Sequence, residues 1–304
     1  MKKEKSNLKF FVGIATFLLI FVAVMVLSVL QKPLAGSGAN SESFKIISLA
    51  PNITEMLFLL GVEDCVIGRT DYCDYPPEAK NIESLGSLGV ANIEKVLSLN
   101  PNLLITPNTP DKEVRKLLAN AGIEVLIIQS SNVHGMLEHL LDIGRAVGKA
   151  ELAETVVAGM QAKLDVIAGR YAKIDKAKLP RVFIEISNDP LITVGGPSFI
   201  NDVVRCAGGV NVAGEVSEPY PCINPEKVIE WNPDVIIPCY MGDKSNVAQQ
   251  MSRRIGWGDI AAIRNGRVIV DFPNDLIMRG GPRLIDGIEI LSRHLHETVD
   301  MADL

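Results

Sequence analysis

The side chains best suited to chemistry in this 304-residue chain are tyrosines, carboxylates and arginines gathered in three short segments. RTDYCDYPPEAK (69–80) carries Tyr72 and Tyr75 ahead of Pro76 and Pro77, EPYPC (218–222) carries Tyr220, and DFPNDLIMRGGPR (271–283) carries Asp275, Arg279 and Arg283. A tyrosine offers a flat apolar face and one hydrogen bond, and proline stiffens the loop that presents it. That chemistry grips a ligand rather than breaking a bond. Signatures of catalysis fail. There is no G-x-S-x-G and no H-E-x-x-H, and GRAVGKA (144–150) has three residues between its glycines where a P-loop has four. His134, His139, His294 and His296 lack metal-ligand spacing and read as solvated helix residues. Neither catalytic residues nor a metal nor a cofactor is expected. The five cysteines (Cys65, Cys73, Cys206, Cys222, Cys239) form no C-x-x-C, and their odd number leaves at least one free. An enzyme using Cys73 or Cys222 as nucleophile would need a nearby base, and no histidine is placed for that role.

Those loops must hang on a scaffold, and the scaffold reads as α/β. Strand-like runs at 45–49, 65–67, 102–106 and 124–128 alternate with helical patterns at 93–99 and 111–121. Asn52 and Glu55 have capping-box spacing for a helix that Gly61 would stop. After Pro180 the alternation resumes. RVFIEI and PLITV lead to a helix from about Ser198 to Cys206, then come PEKVIEW, strands DVIIP and RVIVDF, and a last helix from Pro282 to about Thr298. Between the halves, Leu152, Val156, Met160, Leu164, Ile167, Tyr171 and Ile174 recur every three or four residues, one face of a helix of about 25 residues, roughly 38 Å long. The expected organisation is an N-terminal lobe (44–149), an interlobe helix (150–178) and a C-terminal lobe (179–304).

The halves share a sentence. EKVLSLNPNLLI (94–105) returns as EKVIEWNPDVII (226–237), identical at six of twelve positions and offset by 132 residues. An Asn stands two residues before each Glu, at Asn92 and Asn224, where it would cap a helix. Pro101 and Pro233 would end each helix and bias the preceding Asn towards extended geometry. Glu94 and Glu226 therefore occupy equivalent first turns. A carboxylate there complements the helix dipole, by about 0.3–1 kcal/mol. Two exposed carboxylates, one per lobe, also make a matched pair for a two-fold symmetric partner.

Residues 10–30 are uncharged and apolar, long enough as a helix to span a bilayer, and follow Lys2, Lys3, Lys5 and Lys9. Segment 1–30 reads as a membrane anchor, or else a cleaved signal, and 31–43 as a flexible linker. The rest would lie outside the cytoplasm. Five of the 30 basic residues and one of the 36 acidic residues fall in the first 40, so the remainder (25 basic, 35 acidic) carries −10. That excess argues against nucleic acid or an anionic membrane surface as partners.

Taken together, IISLAPNITEMLFLLG, GRTDYCDYPPEAK, the two EKV…NP segments, DPLITVGGPSFINDVVRCAGGVNVA, GWGDIAAIRNGRVIVDF and RGGPRLIDGIEIL resemble the vitamin B12/ferric-siderophore group of ABC-importer substrate-binding proteins, over about residues 44–298. The resemblance implies two similar α/β lobes with mostly parallel sheets, joined by one long helix, with the ligand cleft between them. It implies a monomeric receptor, not an enzyme, that serves an ABC permease dimer and its ATPase subunits. Glu94 and Glu226 match the glutamates that dock on permease arginines. Within the family the chain is most similar to cobalamin binders, which makes cobalamin or a related corrinoid the expected cargo. Tyr72, Tyr220 and Asp275 fall where those proteins line the cleft. Leu88 and Pro107 stand where an enteric member has tryptophans, and Tyr220 replaces a third. Tyr75 and Arg279 complete the expected ligand-binding set. The alternative cargo is a ferric siderophore or haem, which Arg279 and Arg283 would meet as an anionic chelate.

Overall fold

The computed structural model describes residues 44–87, 92–240 and 246–296. The apolar run at 10–30, the linker 31–43 and Leu88 lie outside these residues. Among the described residues no helix is long and apolar enough to cross a membrane.

The first half alternates as its sequence predicts: β1 (Ile46–Ser48), α1 (Pro51–Leu59), β2 (Val66–Gly68), α2 (Ile93–Leu99), β3 (Leu103–Thr106), α3 (Lys112–Asn120), β4 (Glu124–Ile127) and α4 (Val133–Ala146). Its sheet is parallel throughout, in the order β2-β1-β3-β4. The central strands IIS and LLIT are buried at every position, as strands covered on both faces must be.

Then comes α5 (Ala150–Tyr171), 22 residues, roughly 33 Å of helix. It ends earlier than the periodicity predicts, at Tyr171, and a short 3-10 turn follows at Lys176–Lys178. Val156, Met160, Leu164, Ile167 and Tyr171 pack against the core as expected, whereas Leu152 is exposed and Ala153 takes the buried position. α4 is not among the helices expected from the sequence, and its closing residues belong to the segment compared above with a P-loop. GRAVGKA is instead the corner between α4 and α5. A Cβ on Gly144 would stand 2.4 Å from the Ala153 methyl, and Gly148 turns the chain at φ +70.

The second half is built on β5 (Arg181–Asn188), followed by β6 (Leu191–Thr193), α6 (Phe199–Cys206), β7 (Val210–Asn211), α7 (Pro225–Trp231), β8 (Val235–Pro238), α8 (Val247–Ser252), α9 (Ala261–Arg264), α10 (Asp275–Met278) and α11 (Leu284–His296). β8 runs parallel to β5 on one side; β7 (parallel) and β6 (antiparallel) share the other. RVIVDF does not form the expected strand. Only Val268 bridges to Ile236. The cause is Pro238, two residues on and facing the same edge of β8, which has no N–H to continue that ladder.

Three further expectations are corrected. Asn52 does not cap α1: the helix starts at Pro51 with no side-chain cap, and Glu55 has another use. The last helix starts at Leu284, not Pro282. Asn100 and Asn232 are not extended before their prolines; they take left-handed geometry, φ/ψ 46/62 and 43/65, and close α2 and α7. A left-handed residue is a common way to close a helix, and asparagine tolerates that geometry. The doubling is therefore structural. Each copy is a seven-residue helix, a left-handed Asn and a buried four-residue strand. Even the strand entries match: Asn102 Oδ1 accepts from Lys45 N (2.7 Å), and Asp234 Oδ2 accepts from Arg181 N (2.9 Å).

Among the described residues, the largest of three apolar clusters spans both lobes, and the other two, around Trp257 and around Leu104, lie within one lobe each. The largest runs from Ile46, Leu57 and Leu103 through Leu137 and Ile167 to Val182, Ile237 and Leu291. The described residues form one compact unit. Continuous packing of this kind limits hinge motion.

The end of α11 is held by His296, which stacks on Tyr171 (centroids 4.0 Å apart) and donates from Nε2 to Gly208 O at 3.2 Å. It is not the solvated histidine expected. Burial lowers its pKa below the ordinary 6.5, against the raising effect of the Gly208 bond. The unfolded chain therefore takes up the proton first. The stability this contact contributes is full above about pH 6.5 and declines as pH falls below it. The melting temperature should drop more between about pH 7.5 and pH 5.5 in the natural chain than in a His296→Phe variant, which keeps the stack and cannot titrate.

Candidate functional site

β2 ends at Gly68, and the next residue organises the first tyrosine loop. Arg69 is buried and donates to three carbonyls: Nε to Ala79 O (2.8 Å), Nη1 to Thr70 O (2.7 Å) and Nη2 to Lys80 O (3.0 Å). Thr70 Oγ1 meets the buried Cys73 thiol at 3.2 Å. Tyr75–Pro76 is a cis peptide. Fixed from inside, the loop presents Tyr72 and Tyr75 outward, 47% and 43% exposed. Sequence reasoning overlooked Arg69; the available signal was a charged residue directly after a strand at the head of a proline-rich loop. Hydrogen bonds from a charged donor are worth about 1.5–3 kcal/mol each. Arg69→Ala should therefore destabilise the chain by at least about 2 kcal/mol. It should also raise proteolysis within 70–80, read by mass spectrometry after brief digestion.

Tyr220 sits on a loop that lies against β6 and the residues after it. Pro221 O accepts from Thr193 N (3.1 Å), Pro219 O from Gly195 N (3.0 Å) and Val216 O from Gly196 N (2.9 Å). Glycine is required for this approach, because a Cβ at Gly195 would stand 1.9 Å from Glu218 O. Tyr220 is 51% exposed.

The third segment is not the open loop that the sequence suggests. Arg283 clasps the buried Glu55 of α1 in a two-pronged pair, Nε to Oε2 at 2.9 Å and Nη2 to Oε1 at 2.6 Å. Its guanidinium lies 3.7 Å from the Tyr75 ring centre. Arg279 reaches Asp74 Oδ1 through Nη1 (2.6 Å), Asp275 Oδ2 through Nη2 (2.9 Å) and Glu55 Oε1 at 3.9 Å. The hydrogen bond from Arg279 holds the Asp74 carboxyl below the usual carboxylate range. Gly281 lets this segment press on α1, where a Cβ would stand 3.1 Å from Glu55 Oε2. The network ties the first lobe (Glu55, Asp74, Tyr75) to the second (Asp275, Arg279, Arg283).

The structure thus joins Asp275 and Arg279 directly, and links Tyr75 to them through Arg283 and Glu55. Tyr72 shares the Tyr75 loop. Pro107 follows β3 and lines a separate pocket of about 280 Å³ with Leu49, Leu104 and Asp111. Leu88 lies outside the described residues. Cys65, Cys73, Cys206 and Cys222 are free thiols, and Cys73 is fully buried. Among the described residues no cluster of histidine, cysteine and carboxylate could hold a metal ion.

Glu94 and Glu226 stand in the first turns of α2 and α7, behind Asn92, which caps Lys95 N at 3.0 Å, and Asn224, which caps Glu226 N at 2.9 Å. Both glutamates are exposed. Each has a lysine as its next residue, but those lysines are engaged elsewhere: Lys95 with Glu83 and Lys227 with Glu230, both at 2.9 Å. Among the described residues neither Glu94 nor Glu226 forms an ion pair.

A family profile described as periplasmic binding protein matches residues 46–274. The chain belongs to the periplasmic binding protein family. As a member of it, the chain is 34% identical to the uncharacterised ABC transporter substrate-binding lipoprotein YvrC of Bacillus subtilis, over 84% of this chain and 81% of that one. It is 29% identical to the vitamin B12-binding protein of Vibrio campbellii, over 86% and 93%. Its fold matches the crystal structure of the periplasmic vitamin B12 binding protein BtuF of Vibrio cholerae with a TM-score of 0.72 at 26% identity, covering 84% of this chain and 97% of that one. This periplasmic binding protein thus has the two-lobed α/β architecture that its sequence implies.

Proposed function

We propose that this chain is the extracytoplasmic substrate-binding component of an ABC importer and that it carries cobalamin or a related corrinoid. Lobes 44–149 and 179–304, joined by segment 150–178, would hold the cargo between them. Segment 1–30 would tether the receptor beside its permease and raise its effective concentration there. The observation that carries the reading is the placement of exposed aromatic rings. Among the described residues, three of the four exposed large aromatics (Tyr72, Tyr75 and Tyr220, the other being Phe44) stand on two of the internally braced loops. Flat rings on stiff loops suit a large, flat, largely preformed ligand, because little side-chain freedom is lost on contact. Relatives named for vitamin B12 binding, matched over nearly their whole length, support the same cargo. An anionic ferric chelate or haem would depend on Arg279 and Arg283, and both already face carboxylates of the chain itself.

The test is calorimetric titration of the full-length chain in detergent with cyanocobalamin. One-to-one binding at micromolar or tighter dissociation constant is expected. Absence of heat with cyanocobalamin, alongside binding of haemin or a ferric siderophore, would overturn the cargo.

A further inference from the structure

We propose that the interlobe cluster of Glu55, Asp74, Asp275, Arg279 and Arg283 selects the side-arm chemistry of the cargo, admitting a corrinoid whose peripheral arms are neutral amides and rejecting one whose arms are carboxylates. This inference rests on the corrinoid reading above and specifies its substrate class.

Arginine is the usual carboxylate receptor, because its planar fork presents five N–H donors. Here both forks are occupied from within. Arg283 gives Nε and Nη2 to Glu55, and its face is covered by Tyr75 at 3.7 Å. Arg279 gives Nη1 to Asp74 and Nη2 to Asp275. Two cations thus meet three carboxylates, and the cluster carries a net −1. Its outward members are also the anions. The side chains of Asp74 and Asp275 are 44% and 61% exposed, against 17% for Arg279 and 23% for Arg283. A ligand arriving at this seam meets carboxylate oxygens before guanidinium nitrogens.

The consequence follows from donor and acceptor inventory. Asp74 Oδ2 and Asp275 Oδ1 can still accept hydrogen bonds, and an ionised carboxylate can only accept. A primary amide arm brings two N–H donors to such acceptors and forms charge-assisted bonds. A carboxylate arm brings like charge against like charge. It could reach Arg279 only by displacing Asp74 or Asp275, leaving that aspartate without its cation. The loop bracing by Arg69 and the close approach at Gly281 hold the aspartates in place, so the discrimination is built into the resting structure.

The experiment compares a corrinoid with amide arms, dicyanocobinamide, with the carboxylate-armed cobyrinic acid, by calorimetric titration of the full-length chain near pH 7.5. The amide form is expected to bind at least about tenfold tighter. The Asp74→Asn/Asp275→Asn double variant should free Arg279 and narrow or reverse that ratio. Raising salt from about 0.05 M to 0.5 M should narrow the ratio in the natural chain, since the exposed charges are then screened. This second measurement decides if the variant does not fold. Equal affinities, or preference for the carboxylate form, would overturn the selectivity while leaving the corrinoid reading intact. A tenfold ratio that neither the variant nor salt alters would overturn its assignment to this cluster. Binding of neither corrinoid would overturn the corrinoid reading and this inference with it.

Discussion

Replacing Glu94 and Glu226 together by alanine is expected to abolish cargo uptake by cells while leaving the affinity of the chain for its cargo unchanged. The two matched helices set this expectation. Each glutamate is exposed, sits in the first turn behind an asparagine cap, and has as its next residue a lysine that already holds another carboxylate. Evolution of two copies does not by itself require that both keep an unpaired carboxylate at the same turn. A pair of unsatisfied anions on matched elements fits cations on a partner with two-fold symmetry, such as a permease dimer. Losing one member of a buried interfacial charge pair costs about 2–5 kcal/mol, much of it from the cation left unpaired in the partner. Two such losses would weaken docking by roughly three to seven orders of magnitude, at about 1.4 kcal/mol per tenfold. By comparison, the helix-dipole contribution of each glutamate is about 0.3–1 kcal/mol, too small to unfold the chain. Single variants should fall between. Radiolabelled cargo uptake in a strain lacking the natural gene measures the loss, and calorimetry measures affinity. Uptake that survives the double substitution would sink the docking role; affinity that falls together with uptake would show that these helices serve the cleft.

The outline of the fold was legible because its signals are local. KIISL, DVIIP and the two EKV…NP segments announce themselves by apolar runs, caps and prolines, and the structure places strands and helices there within a residue or two. What escaped the sequence depends on partners far along the chain. Glu185 lies in RVFIEI, where it looks like an outward polar residue of an alternating strand. It is fully buried, because β6 and β8 flank it, and Arg254 meets it with two bonds of 2.7 and 2.8 Å. Arg254 in turn lies 4.4 Å from the Trp257 ring centre, and burial pushes the neighbouring Tyr240 hydroxyl up to about 12. Nothing near Glu185 in sequence signals a partner 69 residues away. Glu55 misled for the same reason. Its spacing from Asn52 imitates a capping box, whereas its partner is 228 residues distant. The site residues followed the same division. The tyrosine loops were readable from composition, but the neutralisation of Arg279 and Arg283 was not, and that neutralisation bears directly on cargo.

Glu55→Ala is expected to be the most damaging single substitution for stability. The Glu55 side chain is 3% exposed, and its removal leaves Arg283, 23% exposed, without the carboxylate that both its Nε and Nη2 contact. Breaking a buried pair from one side costs about 3–5 kcal/mol, because the surviving charge stays desolvated without compensation. For a domain of this size that corresponds to a fall in melting temperature of roughly 6–20 °C. Arg283→Met alone should be similarly harmful, since it strands the carboxylate instead. The double variant Glu55→Leu/Arg283→Met should recover most of the loss, because two apolar side chains of similar volume have no charge to desolvate and can pack against each other. With Glu55→Leu as the matching single variant, the thermal melts of the natural chain, Glu55→Leu, Arg283→Met and the double variant form a cycle whose coupling energy reports the pair itself. A double variant as unstable as the sum of the singles would mean that the residues matter for packing and not as a charge pair. Strong coupling would mean that the clasp between α1 and the segment preceding α11 is electrostatic. Its place in the seam between the lobes then makes it the strut that holds Asp275 opposite Asp74, with Arg279 between them, before any cargo arrives.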